Sequence, residues 1–350
     1  MAFATRECVQ GACRFGPLRG VRQRCHQLRL ITRAYFCQRP PLGYVAPVAV
    51  DSVPALIRRG SGEVGPAQTD ASPRNTLNDL SSREWLSESV SVWTQKGLGA
   101  SHADAQIERE HPAPFSFTDV ARLVRMFTKR GMTVLDPFAG VGSTLKACAL
   151  EHRHGIGMEL NARFVHLAQQ RLRGEIAQTI VDQTSQIIQL GDSRALIRDL
   201  SPDSVDFIVT SPPYWGILNK KPDHKVRQQR IGNGLETSYG DDSRDFALIS
   251  SYDDFVMSLA DFFGQCTRVL KDRRYCAIVV GDFRHGGRYY PLHADLARAM
   301  EQRGYVLKAM NVLYQRHKRV FPYGYPAAYV PNVHHQNIVI MRNERQHEPR

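Results

Sequence analysis

The segment that most constrains the fold, residues 133–145, combines a short apolar strand with a glycine-containing turn and the start of a helix. Gly140 and Gly142 allow the backbone of the turn to approach a ligand closely, and Ser143 or Thr144 can cap the helix that follows. This order is typical of the first βα unit of a doubly wound sheet, where nucleotide-like ligands bind beyond the carboxyl ends of the strands. We therefore predict an α/β fold with a ligand site at this turn.

A carboxylate at the end of the next strand supports this position for the ligand. The strand Gly155–Met158 ends at Glu159, which lies 17 residues past Gly142 and close to the spacing at which an acid meets ribose hydroxyls. A dinucleotide site normally has a third glycine three residues after the second, and here that position is Leu145. The sequence therefore predicts a site for a ribose-containing ligand without a pyrophosphate.

A second stretch, Thr210–Trp215, has the composition of a slot for a flat polar ring. It follows an apolar run, residues 203–209, that reads as a buried strand. Its two successive prolines fix two φ angles and remove two N–H donors, so the backbone is stiff and its carbonyls stay free. Such a slot suits a nucleobase that is flipped out of a duplex. Taken alone, a Pro-rich turn with core aromatic residues is an equally good interpretation.

Together, the two motifs resemble those of the amino-methylating DNA methyltransferases, which modify N4 of cytosine or N6 of adenine with S-adenosylmethionine. The pattern is Asp-Pro-Phe-x-Gly-x-Gly-Ser-Thr at 136–144, followed by Ser-Pro-Pro-Tyr at 211–214. The resemblance extends to residues 111–115 ahead of the turn, to Gly-Asp-Ser at 191–193, and to a closing strand at 333–342. It implies a doubly wound, mostly parallel sheet of the class I methyltransferase type with an antiparallel edge pair.

The resemblance also implies a role for each motif residue. Catalysis falls to the tetrad Ser211, Pro212, Pro213 and Tyr214. Cofactor binding falls to ten residues: Pro114 and Phe115 at the methionine end, Asp192 beside the adenine, and Asp136, Phe138, Gly140, Gly142, Ser143, Thr144 and Glu159. Hydrogen bonds from the target amino group to the Ser211 hydroxyl and the Pro212 carbonyl would direct the nitrogen lone pair at the sulfonium methyl, while Tyr214 stacks on the base. Transfer is then direct, depends on positioning, and needs no metal.

The serine at the head of the tetrad favours cytosine N4 as the target, because aspartate or asparagine is more typical of N6-adenine enzymes. The cofactor turn precedes the tetrad, whereas many cytosine-N4 enzymes have the reverse order, so the two signals do not indicate one subgroup. N6-adenine methylation is the alternative, and an RNA methyltransferase or a catalytically silent DNA-binding protein are further ones. C5-cytosine methylation needs a nucleophilic cysteine, typically after a proline, and the chain contains no Pro-Cys dipeptide.

The net charge of +12 indicates a polyanionic partner, which the resemblance makes double-stranded DNA. A cognate restriction endonuclease is a possible second partner. We predict two target-recognition segments, 216–251 and 314–335. The first carries five basic residues and one acid between residues 217 and 231, and the second alternates basic with aromatic side chains. A solvated loop is the alternative for both.

Residues 1–75 form an Arg-rich extension, which we expect to be poorly ordered, ahead of a methyltransferase domain at 76–350. Residues 1–80 hold 11 arginines, no lysine and five acids, so half of the net charge lies there. A DNA-contacting arm, a transit peptide and an upstream start all fit this segment. Four of the seven cysteines lie between residues 8 and 37 without a Cys-x-x-Cys pair, so we expect no metal site. The cysteine pattern and the lack of an 18-residue apolar run predict a cytoplasmic protein without a membrane span.

Overall fold

The computed structural model describes residues 71–95, 102, 105–111, 115–216, 242–316 and 318–345. All of these residues belong to the second of two compact units, which spans Gly65–Arg350. Most of the predicted extension, including its four cysteines, therefore lies outside the described residues. Residues 217–241 of the first predicted recognition segment also lie outside them.

Nine α-helices and ten strands occur in the described part of the chain. The helices are α1 (Ser82–Glu88), α2 (Ala105–Glu110), α3 (Phe117–Phe127), α4 (Ser143–Leu150), α5 (Ala162–Glu175), α6 (Gln178–Val181), α7 (Ser193–Leu196), α8 (Tyr252–Val269) and α9 (Leu292–Glu301). A 3-10 helix covers Phe246–Leu248. The strands are β1 (Val92–Thr94), β2 (Thr133–Asp136), β3 (His154–Glu159), β4 (Gln186–Leu190), β5 (Val205–Thr210), β6 (Leu270–Val280), β7 (Phe283–His285), β8 (Arg288–Tyr290), β9 (Tyr305–Tyr314) and β10 (His335–Asn343).

Eight of these strands form one sheet in the order β1–β9–β10–β6–β5–β2–β3–β4, and β7 pairs with β8 alone. Strands β4, β3, β2, β5 and β6 run parallel, and β10 is antiparallel to both β6 and β9. This topology confirms the predicted doubly wound, mostly parallel sheet with an antiparallel pair. One edge carries an addition that the sequence did not predict, because β1 pairs in parallel with β9 beyond that pair. A strand of three residues is too short to show an alternating pattern.

The sheet is covered by helices on both faces, which explains the continuous apolar character of its central strands. All six residues of β5 are buried. Phe207 and Val209 pack into a core cluster with α3, and Ile208 packs into a second cluster with α8 and α9. Helix α3 meets the sheet through side chains at the i, i+3, i+4 and i+7 spacing of one apolar stripe, Val120, Leu123, Val124 and Phe127. No helix in the described part of the chain has the length and apolarity to cross a bilayer.

Asn75, the last residue of the predicted extension, is bonded to the first residues of the predicted methyltransferase domain. The Asn75 side chain donates to the Asn78 side chain at 2.7 Å and accepts from the backbone N–H groups of Leu77 and Asn78. Asn78 is fully buried and donates to the Met126 carbonyl at the end of α3 at 2.6 Å. Asn75 therefore holds the entry of the chain into the domain. Two polar side chains without periodic apolar neighbours could not signal this from the sequence.

Candidate active site

The turn after β2 is organised around the buried carboxylate of Asp136. The Thr210 hydroxyl donates to one of its oxygens at 2.6 Å, and the Thr144 hydroxyl donates to the other. The backbone N–H of Phe138 also donates to it at 3.1 Å. Burial raises the pKa of Asp136 to about 6, although these donors act to lower it. Asp136 and Thr144 thus hold the β2 turn against the end of β5, and direct contact between either of them and a cofactor stays a prediction.

Two glycines give the turn its path. Gly142 has φ +77° and is the N-cap of α4, and a Cβ there would lie 2.8 Å from the Cβ of Ala168 in α5. Gly140 has φ +50°, and a Cβ there would lie 3.1 Å from the His111 ring. Side chains are strained at such φ values. Gly142 is therefore required for packing between two helices, while Gly140 allows His111 to approach the turn.

A buried cluster of charges fixes the segment that carries His111 to the same turn. The guanidinium of Arg171, fully buried in α5, donates to the Ser143 hydroxyl at 2.9 Å and to Glu108 of α2 at 3.0 Å. It also pairs with Glu175 at 3.0 Å, and Lys146 reaches the same carboxylate at 2.6 Å. Burial raises the pKa of Glu108, with Arg171 opposing this shift. Ser143 is thus held by the α5 arginine behind the turn.

Glu159 at the end of β3 faces the turn, as its spacing predicted. Its two carboxylate oxygens accept backbone N–H groups from Gly140 and Asn161, each at 2.8 Å. Burial raises the pKa of Glu159 from 4.5 to about 7, and the two backbone donors act in the opposite direction. Each oxygen retains a further lone pair, so the carboxylate can accept hydroxyl donors from a ligand.

The Ser-Pro-Pro-Tyr tetrad begins where β5 ends, next to the β2 turn in the sheet. The hydroxyl of Ser211 donates to the Val279 carbonyl on β6 at 3.0 Å. The Ser211 and Tyr214 hydroxyls also lie in hydrogen-bonding contact, and with its proton directed at the Val279 carbonyl the Ser211 oxygen has acceptor lone pairs. Pro213 is half-buried at the same opening and Pro212 is buried.

The two aromatic residues of this stretch are held by different parts of the sheet edge. The hydroxyl of Tyr214 accepts a hydrogen bond from Gln336 on β10 at 2.8 Å, and burial raises its pKa. The indole N–H of Trp215 donates to the Ile249 carbonyl at 2.7 Å. The Trp215 ring packs against Tyr252 and the β7–β8 hairpin. Both rings are thus oriented by tertiary contacts.

Two adjoining cavities open beside these groups. The larger, of about 580 Å³ including its open mouth, is lined by His111, Pro137, Phe138, Met158, Glu159, Leu160, Asp192, Ser193, Ser211, Pro213, Arg244, Asp245 and Phe246. The smaller, of about 320 Å³, is lined by His111, Phe115, Asp136, Phe138, Ala139, Gly140, Val141, Ser143 and Ser211. His111, Phe138 and Ser211 line both. The structure therefore brings most of the predicted cofactor residues together around one elongated site that reaches the tetrad, while Pro114 lies outside the described residues.

Sequence reasoning missed one wall of the larger cavity, residues 244–246. Asp192 is the N-cap of α7 and forms a two-pronged pair with Arg194, whose guanidinium also donates to the Arg244 carbonyl at 2.7 Å. Burial acts to raise the pKa of Asp192, but the bonds and charge of Arg194 together lower it. Phe246 meets Phe138 edge to face at 5.7 Å between ring centroids. These residues lie within the predicted recognition segment 216–251, so part of that segment lines the cavity.

The lining fits an adenosine-bearing cofactor. Met158, Leu160 and Phe246 offer an apolar slot for a flat ring, and Glu159 and Asp192 offer acceptors for hydroxyl and amino donors. A third carboxylate, Asp245, has a pKa raised by burial. An acidic site of this size accommodates a ligand with hydroxyl groups and a positive charge.

The family model for DNA methylases that modify N6 or N4 matches residues 65–170. This match covers α2, the β2 turn and Glu159. The chain is 39% identical over 116 residues to the type II methyltransferase M.Cfr9I of Citrobacter freundii, covering 32% of each protein. It is 34% identical over 89 residues to the type II methyltransferase M.MthZI of Methanothermobacter thermautotrophicus, covering 25% of this chain and 24% of that one.

Similarity to these curated relatives thus spans about a quarter to a third of their length. A solved structure of the putative DNA modification methylase TTHA0409 from Thermus thermophilus, complexed with S-adenosyl-L-methionine, is 24% identical with a TM-score of 0.30, over 46% of this chain and 56% of that chain. A likeness this partial adds no detail to the site. The family match across the β2 turn and these partial relatives make the chain similar to the amino-methylating DNA methyltransferases, with its two motifs at the ends of β2 and β5.

Proposed function

We propose that this protein transfers a methyl group from S-adenosylmethionine to the exocyclic amino group of a base flipped out of double-stranded DNA, with N4 of cytosine as the target. The observation that carries the proposal is the position of Ser211. Its oxygen lines both cavities, and its proton is engaged by the Val279 carbonyl. It therefore offers an acceptor at the meeting point of the cofactor site and the tetrad.

The chain's contribution to the reaction is acceptance of hydrogen bonds and positioning. An exocyclic amino nitrogen is a weak nucleophile because its lone pair is delocalised into the ring. When its N–H groups donate to the Ser211 oxygen and the Pro212 carbonyl, that lone pair is directed at the electrophilic methyl, which the cofactor supplies. A base and methyl donor held in this way react without a covalent enzyme intermediate. The Tyr214 ring, with its hydroxyl pinned by Gln336, provides a stacking surface for the base.

The cofactor would lie along the two cavities. Glu159 would accept the ribose hydroxyls, and Asp192 would stand at the adenine end of the larger cavity. The methionine end would lie in the smaller cavity, surrounded by Phe115, Gly140 and Ser143. This placement of the cofactor follows the lining residues of the two cavities, from Asp192 just after β4 to His111 just after α2.

The loop between β9 and β10 is proposed as a target-recognition surface, as its alternation of basic and aromatic residues predicted. Asn332 closes the loop, because its side chain both accepts from the N–H and donates to the carbonyl of Phe321, at 2.9 and 2.7 Å. Tyr325 and Tyr329 are 84% and 87% exposed. Large exposed rings on a closed loop mark an interaction surface, and neighbouring arginines favour nucleic acid.

The test is transfer of labelled methyl groups from S-adenosylmethionine to DNA, RNA or protein by the purified full chain. We expect the label in double-stranded DNA, so the labelled product should resist alkali and be degraded by DNase. Ser211→Ala should lower kcat by about 100-fold, because an acceptor that positions the amino group is lost, while KM for the cofactor stays within about threefold.

The matched control is Ser204→Ala, which removes a hydroxyl at the opposite end of β5, where it bonds only the Ser201 carbonyl in the turn. This variant should retain the wild-type kcat. Label found in RNA or protein instead of DNA would overturn the proposed substrate. Full activity in Ser211→Ala would overturn the role of the tetrad.

A further inference from the structure

The hairpin β7–β8 projects from the carboxyl-terminal edge of the sheet, directly after β6. Phe283 pairs with Tyr290 and His285 with Arg288 across a two-residue connection, Gly286-Gly287. Both glycines have positive φ, +57° and +80°, as a tight hairpin turn requires. A Cβ at either glycine would meet no atom of the described residues within 4 Å, so the tip stands in open space.

A hairpin with three paired positions is marginal by itself in water, so its position is set by what it packs on. Here that support includes Trp215, the residue after the tetrad. The Trp215 ring lies 5.5 Å from Tyr290, 6.2 Å from Phe283 and 5.0 Å from His285, between ring centroids. Tyr252 of α8 backs the same cluster at 4.5 Å from Tyr290. The hairpin and the tetrad are therefore one packed unit.

The exposed part of the hairpin is basic. Residues 283–290 contain two arginines, one histidine and no acid, and Asp282, the residue before the hairpin, accepts from the Tyr289 hydroxyl at 2.9 Å and pairs with His293. His285, Arg288 and Tyr289 are exposed at the tip. The Arg288 guanidinium lies 5.2 Å from the Tyr290 ring centroid, and no carboxylate among the described residues forms an ion pair with it. A cation held over a ring at an exposed tip retains its hydrogen-bond donors for a partner.

We propose that the β7–β8 hairpin is a DNA-backbone contact of this protein, in which Arg288 binds a phosphate beside the nucleotide that enters the site. The inference rests on the proposed function for its partner. Its location follows from the sheet, because β6 runs parallel to β5 and the hairpin leaves β6 at the same edge at which Ser211 leaves β5. A two-stranded ribbon is also narrow enough to lie in the major groove of a duplex.

A phosphate contact at Arg288 has a specific consequence for the tetrad. The hairpin contacts Trp215 through Phe283 and Tyr290, whose rings stack on each other at 5.4 Å. Backbone binding would thus fix the loop that carries Ser211 and Tyr214 while the base is inserted. The contact reads no sequence, so it should act equally on any duplex.

The test is the salt dependence of binding of the full chain to duplex DNA of random sequence, measured by fluorescence anisotropy for wild type, Arg288→Ala and Arg288→Glu. One lost phosphate contact reduces the slope of log Ka against log salt by about 0.9, so Arg288→Ala should bind about eightfold more weakly at about 0.1 M salt but only about twofold at about 0.4 M. Arg288→Glu should lose more than Arg288→Ala at the lower salt, because it adds a repelling charge.

The control is Arg198→Ala, an exposed arginine ahead of β5 at the opposite edge of the sheet. It should leave the slope unchanged, and affinity for S-adenosylhomocysteine should be unchanged in all variants. If wild type binds DNA with a steep salt slope and both Arg288 variants keep that slope, the hairpin proposal is overturned while the proposed function stands. If wild type shows no salt-dependent DNA binding, the DNA substrate and the hairpin contact both fall.

Discussion

Replacing Glu159 by glutamine should remove a pH-dependent cost from the stability of the fold and should weaken the cofactor site. Burial raises the pKa of Glu159 from its ordinary 4.5 to about 7, despite two backbone donors. At pH 8 the carboxylate is charged in both folded and unfolded chains, so the fold carries the cost of an ionised buried group. Each pKa unit corresponds to about 1.4 kcal/mol, which puts this cost at about 3 kcal/mol. Glutamine removes this charge, and its NH2 group also faces one of the two backbone donors at every pH, so the change in stability with pH isolates the cost of the charge.

The stability difference between Glu159→Gln and wild type depends on pH, because the pKa of Glu159 is higher in the folded chain than in the unfolded chain. Because the folded-state pKa is raised, the folded chain keeps a proton between pH 4.5 and about 7 that the unfolded chain has released. Wild-type stability from this group is therefore fully present below pH 4.5 and is lost as pH rises through 7. The difference in free energy of unfolding between Glu159→Gln and wild type should grow across this window by about 3 kcal/mol in favour of the variant.

Urea unfolding followed by circular dichroism at intervals from pH 4.5 to 8.5 measures this difference. Glu301→Gln, at the exposed end of α9, is the control and should show a difference that does not change across the window. Calorimetry with S-adenosylhomocysteine should show affinity reduced by about 10- to 100-fold in Glu159→Gln at pH 8, since a charged acceptor is lost. Wild-type affinity should rise with pH through about 7. A Glu159→Gln stability difference that is flat with pH would refute the reasoning.

Two further substitutions test how the turn is supported. Gly142→Ala should lower the free energy of unfolding by about 2 kcal/mol, because its φ is +77° and the new Cβ would meet Ala168 at 2.8 Å. Gly174→Ala in α5, with open space around it, should raise the free energy of unfolding by about 0.5–1 kcal/mol. Equal effects of the two substitutions in urea unfolding would show that the Gly142 backbone is not strained by a side chain. Arg171→Met should cost about 3–5 kcal/mol in the same assay, since it removes the guanidinium that pairs with the buried carboxylates of Glu108 and Glu175. A loss below about 1 kcal/mol would show that the cluster does not hold α2.

The parts of the site that could be predicted from the sequence are those that follow directly from strand ends. Gly142, Glu159 and Ser211 each lie at or just past the carboxyl end of a strand with a clear apolar run, and parallel strands bring such ends to one edge. Glu159 accordingly reaches the β2 turn, where it accepts the backbone N–H of Gly140.

The parts that could not be predicted depend on contacts between distant segments. Residues 244–246 reach the cavity because Arg194 on α7 binds the Arg244 carbonyl, an interaction across 50 residues with no local pattern. The motif around Asp136 does not indicate that its two oxygens accept hydrogen bonds from Thr144 and Thr210. The β7–β8 hairpin did have a local signal, a Gly-Gly pair between short aromatic runs, which indicates a two-residue hairpin.

Base analysis of cellular DNA tests whether the Ser211 tetrad methylates an exocyclic amino group. DNA from cells that express the chain, and from cells that express Ser211→Ala, would be digested to nucleosides and quantified by mass spectrometry. We expect N4-methylcytosine in the first sample and its loss in the second. N6-methyladenine in place of N4-methylcytosine would contradict the cytosine assignment. The absence of both methylated bases would contradict methylation of an exocyclic amino group by this chain.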